Sequence, residues 1–362
     1  MKRRSFLKSI TAFLFSFGVF AKSIIGAKMI KSKTPIDFQW PVQEPFLFCV
    51  HHNDLYPKGI GHGAIDSKHF KGRDMGQDFQ VKDGFRLYHG KDVPGFPVHP
   101  HRGFETITIV RKGYVDHADS LGAAGRYGEG DVQWMTAGAG VQHSEMFPLL
   151  KNDEPNTMEL FQIWLNLPKK NKMVNPHFTM LWADTIPNIE SADKLTSVSL
   201  ICGNYESKSF HQSPPDSWAG DKANEVNILL VKMKPGGTFK FPRAKGMTNR
   251  TLYFFEGKDF EINGEKVGPK TALMVESNVE LIVKGATTEI EFLMLEAKPI
   301  GEPVVQHGPF VMTTREEISQ TIRDYQLTQF GGWPWPRTDM VHGDKIEQFA
   351  KYPDGKIEKR PG

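Results

Sequence analysis

The chain has 362 residues, of which 39% are hydrophobic, 11% aromatic and 24% charged, so its composition excludes a largely disordered protein. Its length favours about two domains. The 34 glycines and 24 prolines favour a turn-rich, strand-dominated fold over a helix bundle. With Cys49 and Cys202 as its two cysteines, the chain cannot form a disulfide scaffold or a thiolate zinc cluster.

Positive charge is concentrated at the N-terminus. Residues 1–36 carry eight basic and no acidic side chains, and removing these eight charges from the net charge of +3 leaves a body at −5. A mildly acidic body argues against nucleic acid as the natural partner. The sequence also lacks a CxxC pair, a P-loop, a GxGxxG motif and an RNP-like motif.

Residues 1–27 have the pattern of an export signal. The basic segment Arg3–Lys8 precedes an apolar run, Ile10–Phe20, which is too short to span a bilayer stably. Cleavage could follow Ala21 or Ala27. The segment resembles a twin-arginine signal, from which only Lys2 departs. The alternative is a basic tail before an uncleaved interfacial helix.

This resemblance implies the twin-arginine (Tat) translocase as a partner and a periplasmic location. Because that route carries folded proteins, a metal can be inserted before transit. The prediction is therefore compatible with a metal site in the body.

Apolar and alternating runs separated by glycine turns predict two series of strands. The first series is Phe46–Val50, Glu105–Val110, Tyr114–His117, Gly130–Met135 and Met158–Leu165. Residues 166–222, which contain several prolines, are interpreted as a connection. The second series is Val226–Met233, Thr251–Phe255, Phe260–Ile262, Thr271–Val275, Val279–Lys284 and Ile290–Glu296. The common rhythm of the two series predicts a duplicated β-barrel.

One helix is predicted near the C-terminus. Thr314 stands three residues before Glu317, which is the spacing of a capping box. Ile318, Ile322 and Tyr325 follow at helical spacing. Residues 331–362 are polar and contain prolines, so we expect a surface tail that the body does not need for stability.

Two residue pairs indicate a metal site. His99 and His101 are two positions apart, as are His143 and Glu145, so on strands each pair shares one face. Pro100 lacks a backbone donor, which favours a barrel mouth or edge. A lone His-x-His is often a surface pair, but a second pair at the same spacing argues against that interpretation. Three imidazoles and a carboxylate suit a divalent transition metal with open positions, and not a closed thiolate zinc site.

Three longer stretches resemble the pirin family of the cupin superfamily. They are Phe96–Thr106, Gly130–Met146 and Glu302–Met312, and the resemblance extends over about residues 37–330. It implies an all-β bicupin, that is, two tandem antiparallel cupin barrels with a short C-terminal helix. The first domain, residues 37–190, would bind the metal. The second, residues 191–330, would be metal-free, and it contains no His-x-His pair.

The resemblance also implies the ligands and the metal. The ligands would be His99, His101, His143 and Glu145, and the metal Fe²⁺ (iron), with Mn, Ni, Cu and Zn as alternatives. In the general cupin pattern Glu105 would be a ligand instead. We favour Glu145, because the pirin pattern takes the carboxylate two residues after the last histidine, and we assign Glu105 a supporting position.

Pirins are associated with oxidative opening of the flavonol quercetin and, in animals, with transcriptional regulation. The first association implies a dioxygenase that takes a flavonol or similar aromatic diol and dioxygen, with Glu145 as the catalytic base. The alternative is a metal-containing periplasmic binding or redox-sensing protein without turnover. An exported, acidic body disfavours transcriptional regulation. We expect a monomer.

Other distinctive side chains receive structural interpretations. We expect exposed loop positions for His51, His52, His62 and His69, surface or mouth positions for His89 and His117, and interdomain packing for His307. Phe104, Trp134 and Met135 are predicted core residues. Cys49 is predicted to be an inert buried thiol. For Arg102 two roles are open, an ion pair that holds the motif and a contact with the substrate.

Overall fold

The computed structural model describes residues 29–285 and 287–360. The predicted export signal, residues 1–27, therefore lies outside the described residues. Within the described ranges, no helix is both long enough and apolar enough to cross a membrane.

Two β-barrels and one C-terminal helix make up the described chain, which confirms the predicted all-β bicupin. The first ten strands are β1 (Ile30–Pro35), β2 (Phe46–Tyr56), β3 (Gly95–His101), β4 (Phe104–Lys112), β5 (Tyr114–Asp119), β6 (Ala124–Gly128), β7 (Val132–Thr136), β8 (Val141–Met146), β9 (Asn156–Asn166) and β10 (His177–Leu181). Next come β11 (Asn188–Glu190), β12 (Thr196–Tyr205), β13 (Lys208–Phe210), β14 (Asn227–Met233), β15 (Thr238–Phe241), β16 (Asn249–Glu256), β17 (Phe260–Ile262), β18 (Glu265–Val267), β19 (Thr271–Val275), β20 (Leu281–Gly285) and β21 (Ile290–Ala297). The last elements are β22 (Val305–His307), β23 (Phe310–Met312), α1 (Arg315–Thr328), β24 (Phe349–Lys351) and β25 (Ile357–Lys359).

The first barrel consists of two antiparallel sheets, with strand orders β10-β7-β4-β9-β2 and β25-β24-β6-β5-β8-β3. Along residues 106–109 of strand β4, apolar side chains lie on one face of the first sheet and polar side chains lie on the other. Its Ile107 and Ile109 belong to the large apolar cluster that the two barrels share. Thr106 and Thr108 alternate with them, and Thr108 bonds to Glu145 on β8 of the facing sheet. The polar face of the strand is therefore the one that lines the barrel interior.

The second barrel pairs an eight-stranded sheet with a four-stranded one. The first has the order β1-β19-β16-β21-β14-β12-β11, with β13 also paired to β12, and the second the order β15-β20-β17-β18. Strand β1 precedes the first barrel in sequence but pairs antiparallel with β19 of the second. The N-terminal part of the described chain thus completes the sheet of the other domain.

The interpretation of residues 166–222 as a mere connection is wrong, because they contain β10 to β13. The ten-residue β12 alternates serine and threonine with apolar residues such as Val198 and Leu200, and it pairs with both β11 and β14. The serines and prolines in this region conceal the strand pattern. Strand β11 also lies in the second barrel's sheet, although the predicted boundary at residue 190 put it in the first domain.

Helix α1 begins at the predicted capping box. Thr314 accepts a hydrogen bond from the Glu317 backbone, and the Glu317 carboxylate accepts one from the Thr314 backbone. The tail after the helix differs from the expectation, because it contributes β24 to the sheet beside β6 and folds back through β25.

Candidate metal centre

The three histidines of the motif converge on one point of the first barrel. His99 and His101 lie on β3, which pairs antiparallel with β8, and His99 stands directly opposite His143. The imidazole centroids are 4.4 Å apart for His99 and His143, 4.8 Å for His99 and His101, and 4.9 Å for His101 and His143. One ring nitrogen from each lies within 4.8 Å of the other two, so the three could share one metal ion.

The unpaired polar atoms of these rings fit a metal. In the described chain, both ring nitrogens of His143 and Nδ1 of His101 are buried without a hydrogen-bond partner. Buried polar groups are otherwise nearly always paired, so the orphaned nitrogens suit metal ligation. His99 donates from Nδ1 to the Pro97 carbonyl over 2.9 Å, which leaves Nε2 available to coordinate a metal ion.

Burial keeps the three imidazoles neutral, which metal ligation requires. Desolvation lowers the pKa of His99, and it lowers the pKa values of His101 and His143 further, together with the neighbouring imidazoles.

Glu145 lies beside this triad. Its Oε2 is 3.8 Å from Nε2 of His143, and the carboxylate borders the same cavity as His99 and His101. Gln162 donates to Oε2 over 2.8 Å and Thr108 donates to Oε1 over 3.2 Å, so the carboxylate is oriented from two strands.

Glu105 has a different environment, since it does not border that cavity. It accepts hydrogen bonds from Thr136 over 2.6 Å and from Ser217 over 2.5 Å. Burial raises its pKa to about 7, and the two hydroxyl donors only partly offset this. Glu105 therefore links the first barrel to the segment that leads into the second.

His99, His101 and Glu145 border an aromatic cavity of about 460 Å³, whereas His143, whose ring centroid is 4.4 Å from that of His99, does not line it. The cavity walls also comprise Phe38, Phe48, Val50, His52, Phe79, His89, Phe96, Pro97, Val98, Gln162, Trp164 and Pro309. Trp164 packs edge-on against His101, with ring centroids 5.4 Å apart. A flat, largely apolar molecule that reaches the metal position would therefore be enclosed by aromatic rings.

Arg102 forms an ion pair, which is the first of the two roles left open by the sequence. Its Nη1 lies 2.7 Å from Oδ2 of Asp324 on α1, and its guanidinium stacks 4.5 Å above the Phe330 ring. Gly103 then turns the chain into β4 with φ at +85°, and a Cβ there would lie 2.0 Å from the Val311 carbonyl oxygen. Only glycine fits this turn between the two strands.

Several predictions for other side chains are wrong. His51 and His52 lie on β2 and not in an exposed loop, since the strand continues past Val50 to Tyr56. His117 is fully buried, with its ring 5.5 Å from that of His143, and not at the surface.

The remaining expectations have mixed outcomes. His307 is exposed in the β22–β23 hairpin and not packed between domains. The exposed position of His62 and the buried positions of Phe104, Trp134, Met135 and Cys49 are confirmed, and burial raises the pKa of the Cys49 thiol.

Sequence reasoning missed most of the cavity wall. Phe48, Val50 and His52 occupy alternate positions of β2 and face the cavity, while Gln162 and Trp164 do the same on its partner β9. Two-residue alternation across the whole of β2 was the available signal.

Fold and site together define a two-barrel cupin with a candidate metal centre in the first barrel. Two family models match the chain and agree with this fold. The pirin model matches residues 63–165, and the model of the pirin C-terminal cupin domain matches residues 228–331. Human pirin is 35% identical over 255 residues, which span 68% of this chain and 81% of that protein. The chain belongs to the pirin family.

Other relatives and structures agree. A Pseudomonas aeruginosa protein that carries the provisional name quercetin 2,3-dioxygenase is 34% identical over 65% of this chain and 79% of its own length. The crystal structure of quercetin 2,3-dioxygenase from Acinetobacter baumannii superposes with a TM-score of 0.66 at 24% identity, covering 84% of this chain and 98% of that one. At this identity the superposition supports the fold.

Proposed function

We propose that this protein is a metal-dependent dioxygenase of the quercetin 2,3-dioxygenase type, acting on a flavonol or similar aromatic diol. The observation that carries the proposal is the convergence of three imidazoles next to a carboxylate, with two of the imidazoles and the carboxylate bordering an aromatic cavity. The names of the Pseudomonas and Acinetobacter proteins support the same substrate class.

Each part of the site has a role in this proposal. When bound, a divalent transition metal would polarise a substrate oxygen and provide open positions for the reactants. His99, His101 and His143 would hold it, with Glu145 as the fourth ligand. Glu145 would also accept the proton of the substrate hydroxyl, while Gln162 keeps the carboxylate oriented. The aromatic walls would position the ring system and exclude water.

Oxygen consumption tests the proposal. Metal-loaded protein should consume dioxygen when quercetin is added, and His143→Ala should abolish the consumption because it removes a ligand while leaving the cavity walls in place. Quercetin binding without oxygen consumption would contradict the dioxygenase and support the binding or redox-sensing alternative.

We further propose iron as the native metal, a monomeric state and a periplasmic location reached through the twin-arginine translocase. Elemental analysis of natively exported protein tests the metal, since imidazole and carboxylate ligands alone accept several divalent ions. Light scattering tests the monomeric state.

A further inference from the structure

A chain of hydrogen bonds runs behind one wall of the aromatic cavity. Nδ1 of His52 lies 2.6 Å from the Tyr88 hydroxyl, and that hydroxyl lies 2.6 Å from Oδ2 of Asp54. Arg86 completes the chain by donating from its backbone nitrogen and from Nε to Oδ1 of Asp54, and from Nη2 to Oδ2. His52, Asp54, Arg86 and Tyr88 are all at least nine-tenths buried.

The direction of these bonds fixes the tautomer of His52. Asp54 is paired with Arg86 and accepts four hydrogen bonds, so its partner Tyr88 must donate to it. A tyrosine hydroxyl has one proton to donate, and its oxygen can therefore only accept from His52. Nδ1 of His52 thus carries the ring proton, and Nε2 carries a lone pair.

Nε2 is the ring nitrogen of His52 that remains available to a ligand in the cavity. His52 borders the cavity, whereas Tyr88, which holds Nδ1, does not. Within the described residues, no protein group is hydrogen-bonded to Nε2 of His52. The ring is also fixed edge-on against Phe38 and Phe96, with centroids 5.9 Å away in each case.

The backbone supports the same interpretation. Tyr88 has φ at +58°, a region that residues other than glycine seldom adopt and that is often retained at functional sites. The Tyr88 hydroxyl lies between Asp54 and His52. An apolar side chain at this position would leave both of these buried groups without that hydrogen-bond partner.

The position of His52 along the strand separates it from the metal centre. On β2 it stands two residues beyond Val50, which is about 7 Å. Val50 pairs with Gln162, whose side chain contacts Glu145. A ligand that reaches the metal position would therefore present its more distant ring to His52.

The geometry points to His52 as a specificity-determining residue, whose Nε2 accepts a hydrogen bond from a hydroxyl on the pendant ring of a flavonol bound at the metal position. This inference rests on the proposed function and deepens it: the substrate would be a flavonol that carries a hydroxyl on its pendant ring. An aromatic wall alone would not distinguish such a compound from its deoxy analogue, whereas a buried acceptor would.

Two flavonols that differ by a single hydroxyl on the pendant ring, kaempferol and galangin, test the inference. Binding to metal-loaded protein is measured without oxygen, through quenching of tryptophan emission. Wild-type protein should bind kaempferol, which has the hydroxyl, roughly 10-fold more tightly than galangin. His52→Leu should reduce this preference to within about twofold, mainly by weakening kaempferol binding. Tyr88→Phe, which no longer fixes the tautomer, should give an intermediate preference.

His51→Leu is the matched control. His51 is the neighbouring residue on the same strand but faces the other way, where it stacks on Phe161 with centroids 4.4 Å apart. This variant should retain the wild-type preference.

The outcomes separate this inference from the proposed function. Equal binding of both flavonols to wild-type protein would overturn the assignment of His52 and leave the dioxygenase proposal intact, even if no His52 variant folds. An undiminished preference in His52→Leu would overturn it as well. If neither flavonol binds to wild-type protein, the proposed substrate class and this inference both fail.

Discussion

Glu145 and Glu105 are both buried carboxylates of the first barrel, but their partners differ. Glu145 lies 3.8 Å from His143 and borders the cavity, whereas Glu105 is bonded to two hydroxyl groups away from it. We therefore expect Glu145→Ala to weaken metal retention roughly 10-fold or more, since even losses outside the ligand shell cost this much. Glu105→Ala should retain most of the metal. Metal per protein is measured after dialysis against a mild chelator.

Folding of both variants is checked by circular dichroism, and His99→Ala serves as the positive control for a lost ligand. If Glu105→Ala empties the site while Glu145→Ala keeps it full, the general cupin ligand pattern applies here.

The environment of Glu105 predicts a pH dependence of stability. Burial raises its pKa from 4.5 to about 7 in the folded state, so the folded protein binds this proton more tightly than the unfolded chain. Tighter binding of this proton stabilises the folded protein fully below about pH 4.5, and this stabilisation is lost as the pH rises through about 7. Its upper bound in the free energy of unfolding is roughly 3 kcal/mol. Glu105→Gln, which carries no charge, should flatten this part of the stability profile and be more stable than wild type at pH 8.

Urea unfolding at several pH values between 5 and 8 provides the measurement. Parallel profiles for wild type and Glu105→Gln would show that Glu105 is ionised throughout this range.

The predictions at residue level succeeded where a motif had a fixed spacing and failed where side chains faced the barrel interior. The convergence of His99, His101 and His143 follows from two-residue spacing on adjacent strands. The polar neighbours of His52 predict an exposed loop, whereas His52 lies on a strand and borders the cavity. A single sequence does not distinguish a polar interior from a polar surface.

At the scale of elements, apolar strands were predicted well and polar ones were missed. Phe260–Ile262 and Thr271–Val275 match the predicted bounds. A bend at Gly257 and a turn at Gly264 flank the first strand, and Gly268 precedes the second. Strand β12 is interrupted by serines, and β24 and β25 have three residues each, which is too short for any periodic pattern. Their stability comes from tertiary pairing and not from local sequence.

The C-terminal tail provides the prediction at this scale. Trp335 donates to the Asp119 carbonyl over 2.7 Å, and the Thr338 carbonyl accepts from Val98, next to His99 on β3, over 2.8 Å. The Gly343 carbonyl also accepts from Arg126, which is buried against Asp116. We therefore expect truncation after residue 332 to destabilise the protein, contrary to the expectation from sequence.

Each lost hydrogen bond to a charged group costs roughly 1.5–3 kcal/mol, so the melting temperature should fall by several degrees. Metal retention should fall as well, because β3 loses its contact with the tail. Thermal melting and chelator dialysis are the measurements, and a chain cut after residue 353, which loses only β25, is the control. Unchanged melting after the longer truncation would mean that the tail is dispensable.

At the scale of the whole molecule, one apolar cluster extends from the first barrel into the second. Trp40 stacks on Tyr253 of the second barrel with centroids 5.0 Å apart, and Arg111 bridges Glu159 of the first barrel and Glu291 of the second. The repeated strand rhythm was sufficient to predict two barrels. It was not sufficient to predict that β1 crosses to the second barrel, since Ile30 is its one buried residue. Such an exchange depends on long-range pairing, which local patterns do not encode.

The export proposal is a prediction about the whole molecule, because the twin-arginine route carries folded proteins. Replacing Arg3→Lys together with Arg4→Lys retains the charge but removes the guanidinium pair that the receptor of this route recognises. We therefore expect the double variant to accumulate in the cytoplasm as folded, metal-binding protein, while the wild-type chain reaches the periplasm. Cell fractionation followed by immunoblotting measures the distribution, and Lys22→Arg provides a control that alters a basic residue outside the pair. Undiminished periplasmic protein in the double variant would exclude this route.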